Sequence, residues 1–95
     1  MAYVLIHHQV ARYSDFEAVY LQDAARRRRL GCKGAKVFRD SKESNDVFIV
    51  LEWSGMTGAH EFAEGYETQE AMKWATSGAG KPLVWVVEDV LETDA

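Results

Sequence analysis

Two adjacent histidines, His7 and His8, lie inside the apolar segment "YVLIHHQV" near the start of the chain. In a β-strand successive side chains point to opposite faces of the sheet, so the two imidazoles would face apart. His8 would share its face with Val4 and Ile6, and His7 would share the wetter face with Gln9. An apolar environment lowers the pKa of a histidine and keeps its imidazole neutral, as a general base must be. His8 is therefore the candidate catalytic residue, and a hydrogen-bonded core histidine is the alternative.

Arg27 is the second residue whose position suggests chemistry. Helical spacing places it on the same stripe as Phe16 and Tyr20, on the side of the helix that would face the core. A guanidinium there could bind an anion or stabilise an enolate formed from a substrate. The structural alternative is a salt bridge to Asp23, four residues earlier on the helix.

Aromatic side chains make up 12% of this small chain. Most of them would belong to the core, as an aromatic stripe usually does. Some could instead line a slot for a flat ligand between the helices and the sheet. The predicted substrate-binding residues are Tyr20, Arg27, Trp53, Phe62 and Trp85.

The sequence does not contain the motifs of several other common kinds of functional site. Cys32 is the only cysteine, which excludes an internal disulfide and a cysteine-rich zinc site. His7 and His8 face apart on a strand, so they cannot jointly bind one metal ion. No glycine-rich phosphate loop and no Ser-His-Asp order is visible. We therefore expect neither a metal nor a tightly bound cofactor, and the arginine run at 26–29 is interpreted as a solvated helix end.

The elements that must position these residues follow from the hydrophobic pattern. A first helix is predicted to begin at Ser14 or Asp15 and to end at Leu30, with Gly31 as a left-handed cap. A second helix begins with Ser54 or Thr57 as its cap, is interrupted at Gly65 and resumes over residues 66–76. A turn at residues 41–46 joins the second and third strands into a hairpin, and a loop is predicted at residues 77–82. The four predicted strands are residues 3–10, 34–40, 47–53 and 83–91.

The resulting order, β-α-β-β-α-β, predicts an α+β ferredoxin-like fold with a four-stranded antiparallel sheet and both helices on one face. A sheet with one face in water alternates apolar and polar residues. The segments "VFIVL" and "LVWVV" do not alternate, so both faces of the sheet need a cover. We expect a homodimer in which two sheets pack face to face.

The size and charge of the chain limit the number of domains and the kinds of partner it can have. Its 95 residues predict one domain spanning 1–95, and a net charge of −4 with a pI near 5.3 argues against nucleic acid as a partner. No apolar run approaches the roughly 20 residues of a membrane-spanning helix, and the N-terminal segment lacks the features of a signal peptide. One cysteine fits a reducing compartment, so the predicted location is the cytoplasm.

The segments "LIHHQV", "DAARRRRLGCKGAKVFRD", "VFIVLEW" and "EFAEGYETQEAM" resemble the dimeric α+β barrel superfamily. The chain is most similar to small, uncharacterised members related to the antibiotic-biosynthesis monooxygenase group. The resemblance spans nearly the whole chain and implies a dimeric barrel. The superfamily includes cofactor-independent quinone-forming monooxygenases, polyketide cyclases, haem enzymes and isomerases. Asn45, the only asparagine, lies in a turn, so the Asn, Trp and His pocket pattern of the monooxygenases is not visible.

These observations lead to one functional hypothesis with two alternatives. The leading hypothesis is a small-molecule enzyme in which His8 removes a proton from an aromatic or polyketide-like compound without a tightly bound cofactor. The resulting carbanion or enolate would react with oxygen, as in a monooxygenase, or close a ring by aldol chemistry, as in a polyketide cyclase. The second alternative is a non-catalytic ligand-binding or interaction dimer in which His8 belongs to the core.

Overall fold

The computed structural model describes residues 1–75 and 82–95, so the predicted loop at 77–82 lies, apart from Pro82, outside the described residues. The longest helices have ten residues, and within the described ranges no helix has the length and apolarity needed to cross a bilayer. The elements in chain order are β1 (Ala2–Gln9), α1 (Tyr13–Gln22), α2 (Ala24–Leu30), β2 (Cys32–Arg39), β3 (Asp46–Trp53), α3 (Met56–Glu64), α4 (Tyr66–Ala75) and β4 (Leu83–Glu88).

The strands form one antiparallel sheet in the order β2-β3-β1-β4. This is the predicted ferredoxin-like arrangement, with β1 and β3 at the centre. Ile6 of β1 lies opposite Ile49 on one side and opposite Val84 on the other. The hairpin of the second and third strands is confirmed, whereas β4 ends at Glu88 rather than at Leu91.

The inner face of the sheet packs against the helices and forms the core. Burial alternates along both central strands, because every second side chain points to the helices. Phe16 of α1 together with Ala59 and Phe62 of α3 close this layer from the helical side. The strand residues in the core include Val4, Ile6 and His8 of β1 and Val47, Ile49, Leu51 and Trp53 of β3.

The outer face of the sheet carries large apolar side chains that no part of the described chain covers. Phe38 and Trp85 are 48% and 47% exposed, and Phe48 and Leu83 are also exposed. His7 lies on this face and stacks on Phe48, with ring centroids 4.6 Å apart. The sheet is thus apolar on both faces, as its sequence indicates. An exposed apolar patch of this kind marks an interaction surface.

The first helix differs from its prediction in two ways. It begins at Tyr13, after the extended residue Arg12 and without a side-chain cap, so the prediction of Ser14 or Asp15 as the cap was wrong. It is also interrupted at Asp23, which separates α1 from α2. The predicted glycine cap is confirmed, because Gly31 has φ of 114°, a value that glycine adopts at little cost.

The second helix is interrupted at Gly65, as predicted, and this break separates α3 from α4. The predicted cap at Ser54 or Thr57 was wrong, since α3 follows the extended Gly55 and has no side-chain cap. Gly58 lies directly against the backbone carbonyl of Leu30, where a Cβ atom would collide with it. This close approach places α3 against the end of α2.

Candidate functional site

A cavity of about 50 Å³ lies between the inner face of the sheet and the helices. His8 and Ile6 of β1 and Ile49 of β3 form its floor. The other walls are mostly aliphatic and aromatic. The residues of the helical layer that bring polar groups to it are Tyr20, Arg27 and Thr68 and, at the junction of α1 and α2, Asp23.

His8 is the buried imidazole of this cavity. It is 2% exposed, and the ring of Phe16 meets it edge to face with centroids 6.2 Å apart. Burial is the main cause that lowers the pKa of His8 below its ordinary 6.5, and the neighbouring His7 adds to the effect. The imidazole is therefore neutral near pH 7, the form that can accept a proton.

Arg27 is buried at the same cavity and is 6% exposed. Its Nη1 donates a hydrogen bond to the backbone carbonyl of Tyr20 at 2.8 Å, and its guanidinium lies 3.9 Å from the centre of the Tyr20 ring. The expected salt bridge to Asp23 is absent. No carboxylate of the described residues lies within 4.0 Å of Arg27, and residues 76–81 contain neither Asp nor Glu.

Arg26, rather than Arg27, binds Asp23. Its Nε and Nη2 donate to the two carboxylate oxygens of Asp23 at 2.8 and 2.7 Å, and Nη2 also donates to Thr68 Oγ1 at 2.7 Å. The side chain of Arg26 is 11% exposed. The interpretation of residues 26–29 as a solvated helix end was therefore wrong for Arg26 and Arg27. These contacts join the α1–α2 junction to the first turns of α4.

A series of contacting aromatic side chains connects His8 to Arg27. Phe16 contacts His8, and Tyr20 stacks on Phe16 with centroids 5.8 Å apart. The guanidinium of Arg27 covers the other end of this series, at Tyr20. Two aromatic side chains therefore lie between the imidazole and the guanidinium along one wall of the cavity.

The structure brings four of the six predicted site residues together. His8, Tyr20, Arg27 and Phe62 line the cavity. Trp53 does not line it: this residue is fully buried and packs against Phe62, with ring centroids 5.2 Å apart.

Trp85 lies on the outer face of the sheet, opposite Leu5 of β1, so it cannot reach this cavity. Sequence reasoning did not assign Asp23 and Thr68 to the site. Thr68 and Met72 are four residues apart on α4 and share a helical stripe, a signal that could have found them.

The donor groups of the cavity do not form a metal site. Among residues 1–75 and 82–95 no group of three or more His, Cys, Asp or Glu side chains could hold a metal ion. The chemistry that this arrangement supports is proton transfer by an imidazole in a cavity that also contains a fixed positive charge.

No protein-family model matches the chain, and no curated protein matches it. Solved structures do match. Candidate antibiotic biosynthesis monooxygenases from Bordetella bronchiseptica and Caulobacter crescentus are 22% and 23% identical to it, with TM-scores of 0.74 and 0.70. Each match covers 95% of this chain, and 97% and 90% of the other chain, respectively.

SnoaB, a cofactor-independent oxygenase from Streptomyces nogalater, matches with a TM-score of 0.77 at 11% identity, over 99% of this chain and 97% of SnoaB. At such identities the likeness is one of fold. The chain has the α+β ferredoxin-like fold of the antibiotic biosynthesis monooxygenases. The resemblance predicted from the sequence is thereby confirmed at the level of fold.

Proposed function

We propose that this chain is a small-molecule enzyme in which His8 removes a proton from an aromatic or polyketide-like compound, in the manner of a cofactor-independent monooxygenase. The observation that carries the proposal is a neutral, buried imidazole facing a cavity with aromatic walls and a buried guanidinium. The fold shared with SnoaB, described as a cofactor-independent oxygenase, supports the same class of reaction.

The reaction needs one base, one positive charge and dioxygen from solution. His8 takes a proton from a phenol or an enolisable carbon, and the electron pair stays on the substrate as an anion. Arg27 supplies the positive charge of the cavity, which favours an anionic substrate. In the oxidation of a phenol to a quinone, dioxygen accepts two electron pairs. One oxygen atom becomes the new carbonyl, and the other leaves as water with the hydroxyl proton taken by His8 and the hydrogen of the oxidised ring carbon.

A polyketide cyclase is the second candidate, because the same base forms the anion that an aldol reaction requires. The carbanion attacks a carbonyl carbon of the same molecule, a carbon–carbon bond forms, and the proton held by His8 passes to the alkoxide oxygen. This addition consumes no oxidant. Dependence on oxygen therefore separates the two reactions.

The cavity has room for only a few water-sized molecules, at roughly 10–15 Å³ for each. A fused-ring substrate requires its walls to move apart. Met72 of α4 lines the cavity, and its unbranched side chain can adopt other rotamers at small cost. We expect α4 to move away from α1 when a substrate binds.

We also propose that the chain works as a homodimer. The outer face, with Phe38, Phe48, Leu83 and Trp85, supports this assembly because an apolar sheet face can be covered by the same face of a second copy. The cavity lies on the other side of the sheet, so this arrangement leaves it accessible from the helical layer.

Oxygen uptake by the purified protein with a panel of polycyclic phenols tests the proposal. His8→Ala should lower the rate at least about 100-fold, the contribution of a general base. His7→Ala is the matched control, because the same side chain is removed from the neighbouring position on the other face. It should change the rate less than about fivefold.

Two further results have defined meanings. Ring closure at the same rate under nitrogen and in air would favour the cyclase. If no panel member reacts under either gas, or if both histidine variants lose the same activity, the role of His8 as a specific base is wrong. A ligand-binding dimer would then be the better description.

A further inference from the structure

The two neighbouring arginines of α2 differ in their partners. Arg26 forms a bidentate pair with Asp23, and its Nε also lies 3.3 Å from a carboxylate oxygen of the exposed Glu67. His8 is buried and neutral. Both of these carboxylates lie at Arg26, so the buried guanidinium of Arg27 has no carboxylate within 4.0 Å among the described residues, and residues 76–81 hold no acidic side chain.

A buried charge without a counter-ion is costly, and proteins seldom keep one. The hydrogen bond from Arg27 to the carbonyl of Tyr20 and its contact with the Tyr20 ring compensate part of that cost. A guanidinium has five N–H donors in a planar fork that matches a carboxylate. The guanidinium of Arg27 is thus suited to bind an anionic group of a ligand that enters the cavity.

We propose that the ligand of this cavity carries a single negative charge before any reaction, on a ring carboxylate or an ionised phenol, and that this group is the counter-ion of Arg27. The inference rests on the proposed function in that the cavity binds a small aromatic molecule. It goes further because it names the ionic state of that molecule and the residue that selects it.

The geometry also separates this anionic group from the reacting atom. Phe16 and Tyr20 lie between the imidazole of His8 and the guanidinium of Arg27. A planar ligand lying along these rings would place its anionic group at Arg27 and a different part of its ring system near His8. Arg27 is then a specificity-determining residue.

Matched pairs of acids and amides test this proposal by titration calorimetry at pH 7.5. The pairs are benzoate with benzamide and 2-naphthoate with 2-naphthamide, because each amide has nearly the shape of its acid and no charge. At least one acid should bind at least tenfold more tightly than its amide. In Arg27→Met the acid should lose at least tenfold in affinity, while the amide changes less than twofold.

Arg28→Met is the control, since it removes the same charge from an exposed position on the same helix. It should preserve the preference for the acid. Arg27→Lys keeps the positive charge but loses the planar set of guanidinium N–H donors, so it should retain part of the preference for the acid over its amide. It also supplies a second test if the methionine variant does not fold.

The proposal is overturned if acid and amide bind equally to the unaltered protein, if neither acid binds at millimolar concentration, or if Arg28→Met lowers acid binding as much as Arg27→Met. This binding proposal can fail or succeed independently of the proposed catalytic activity, because binding of the benzene and naphthalene probes is measured without turnover. A preference for acids without any oxygen uptake or ring closure would support an anion-binding protein. Turnover of neutral phenols without a preference for acids would support the proposed enzyme and contradict the proposal of an anionic ligand at Arg27.

Discussion

The two faces of β1 carry the same residue type at adjacent positions and give it different surroundings. His8 is 2% exposed and lies against the ring of Phe16. The side chain of His7 is 35% exposed, stacks on Phe48, and has its Nε2 atom 3.6 Å from a carboxylate oxygen of Asp46. The chemistry available to each imidazole is therefore decided by the face on which the strand places it.

The same contrast extends to the whole sheet. The inner face is covered by the helices of its own chain and leaves a small cavity at Ile6 and His8. The outer face has Phe38 and Trp85 half exposed. The two faces thus correspond to the two proposed partners, a small molecule on the inner side and a second copy of the chain on the outer side.

The largest expected effect comes from placing one lysine on either face of β3. Ile49 is buried in the core, so Ile49→Lys should lower the free energy of unfolding by more than about 4 kcal/mol. Val50 lies on the outer face, so Val50→Lys should leave the chain folded and convert the proposed dimer to a monomer. Urea unfolding and light scattering coupled to gel filtration measure the two effects.

The unaltered protein provides the reference for this pair of variants. A folded monomer of about one chain mass (10.7 kDa) at micromolar concentration would show that the outer face needs no second copy. A Val50→Lys variant that remains dimeric would place the interface elsewhere.

A smaller effect is expected from the two arginines that the sequence places close together on α2. Arg26→Met removes the bonds to Asp23 and Thr68, and it should cost about 1.5–3 kcal/mol, as for hydrogen bonds to charged groups. Arg28→Met, at an exposed position, should change stability by less than about 0.5 kcal/mol. Equal losses in the two variants would mean that the Arg26 contacts contribute little.

The smallest predicted effect is the dependence of stability on pH. Because burial lowers the pKa of His8 below 6.5, the unfolded chain binds this proton more readily than the folded chain. The free energy of unfolding should be highest above about pH 6.5 and should decrease as the pH falls below that value.

Denaturant unfolding between pH 5 and 7.5 measures this change within each variant. His8→Gln should abolish the decrease, whereas His7→Gln should preserve it. An unaltered slope in His8→Gln would assign the pH dependence to another group and contradict the picture of His8 as a buried neutral base.

Hydrophobic periodicity was sufficient to predict the sheet and the hairpin, and it favoured His8 over His7 for the buried face without deciding between them. It could not assign Trp85 to a face. The segment "LVWVV" is apolar throughout, so only the pairing of Trp85 with Leu5 reveals which side it takes.

The arginines show a second limit of sequence reasoning. Arg26 and Arg27 follow Asp23 by three and four residues, and both spacings allow an ion pair on a continuous helix. The helix is interrupted at Asp23, whose ψ of 2° departs from helical geometry and changes the direction of the residues that follow. Arg26 is the partner of Asp23 because of this local break. The sequence does not predict the break, because no strong helix-breaking residue lies there.

The central position of β1 has a consequence for the order in which the chain can fold. This strand pairs with β3 near the middle of the chain and with β4 near its end, as the contacts of Ile6 with Ile49 and Val84 illustrate. Such distant pairings close large loops and are slow to form. During synthesis β1 can pair with β3 once the middle of the chain has emerged, but its other edge stays unpaired until residues Leu83–Glu88 have emerged. We expect the pairing of β1 with β4 to complete the sheet only in the last stage of folding.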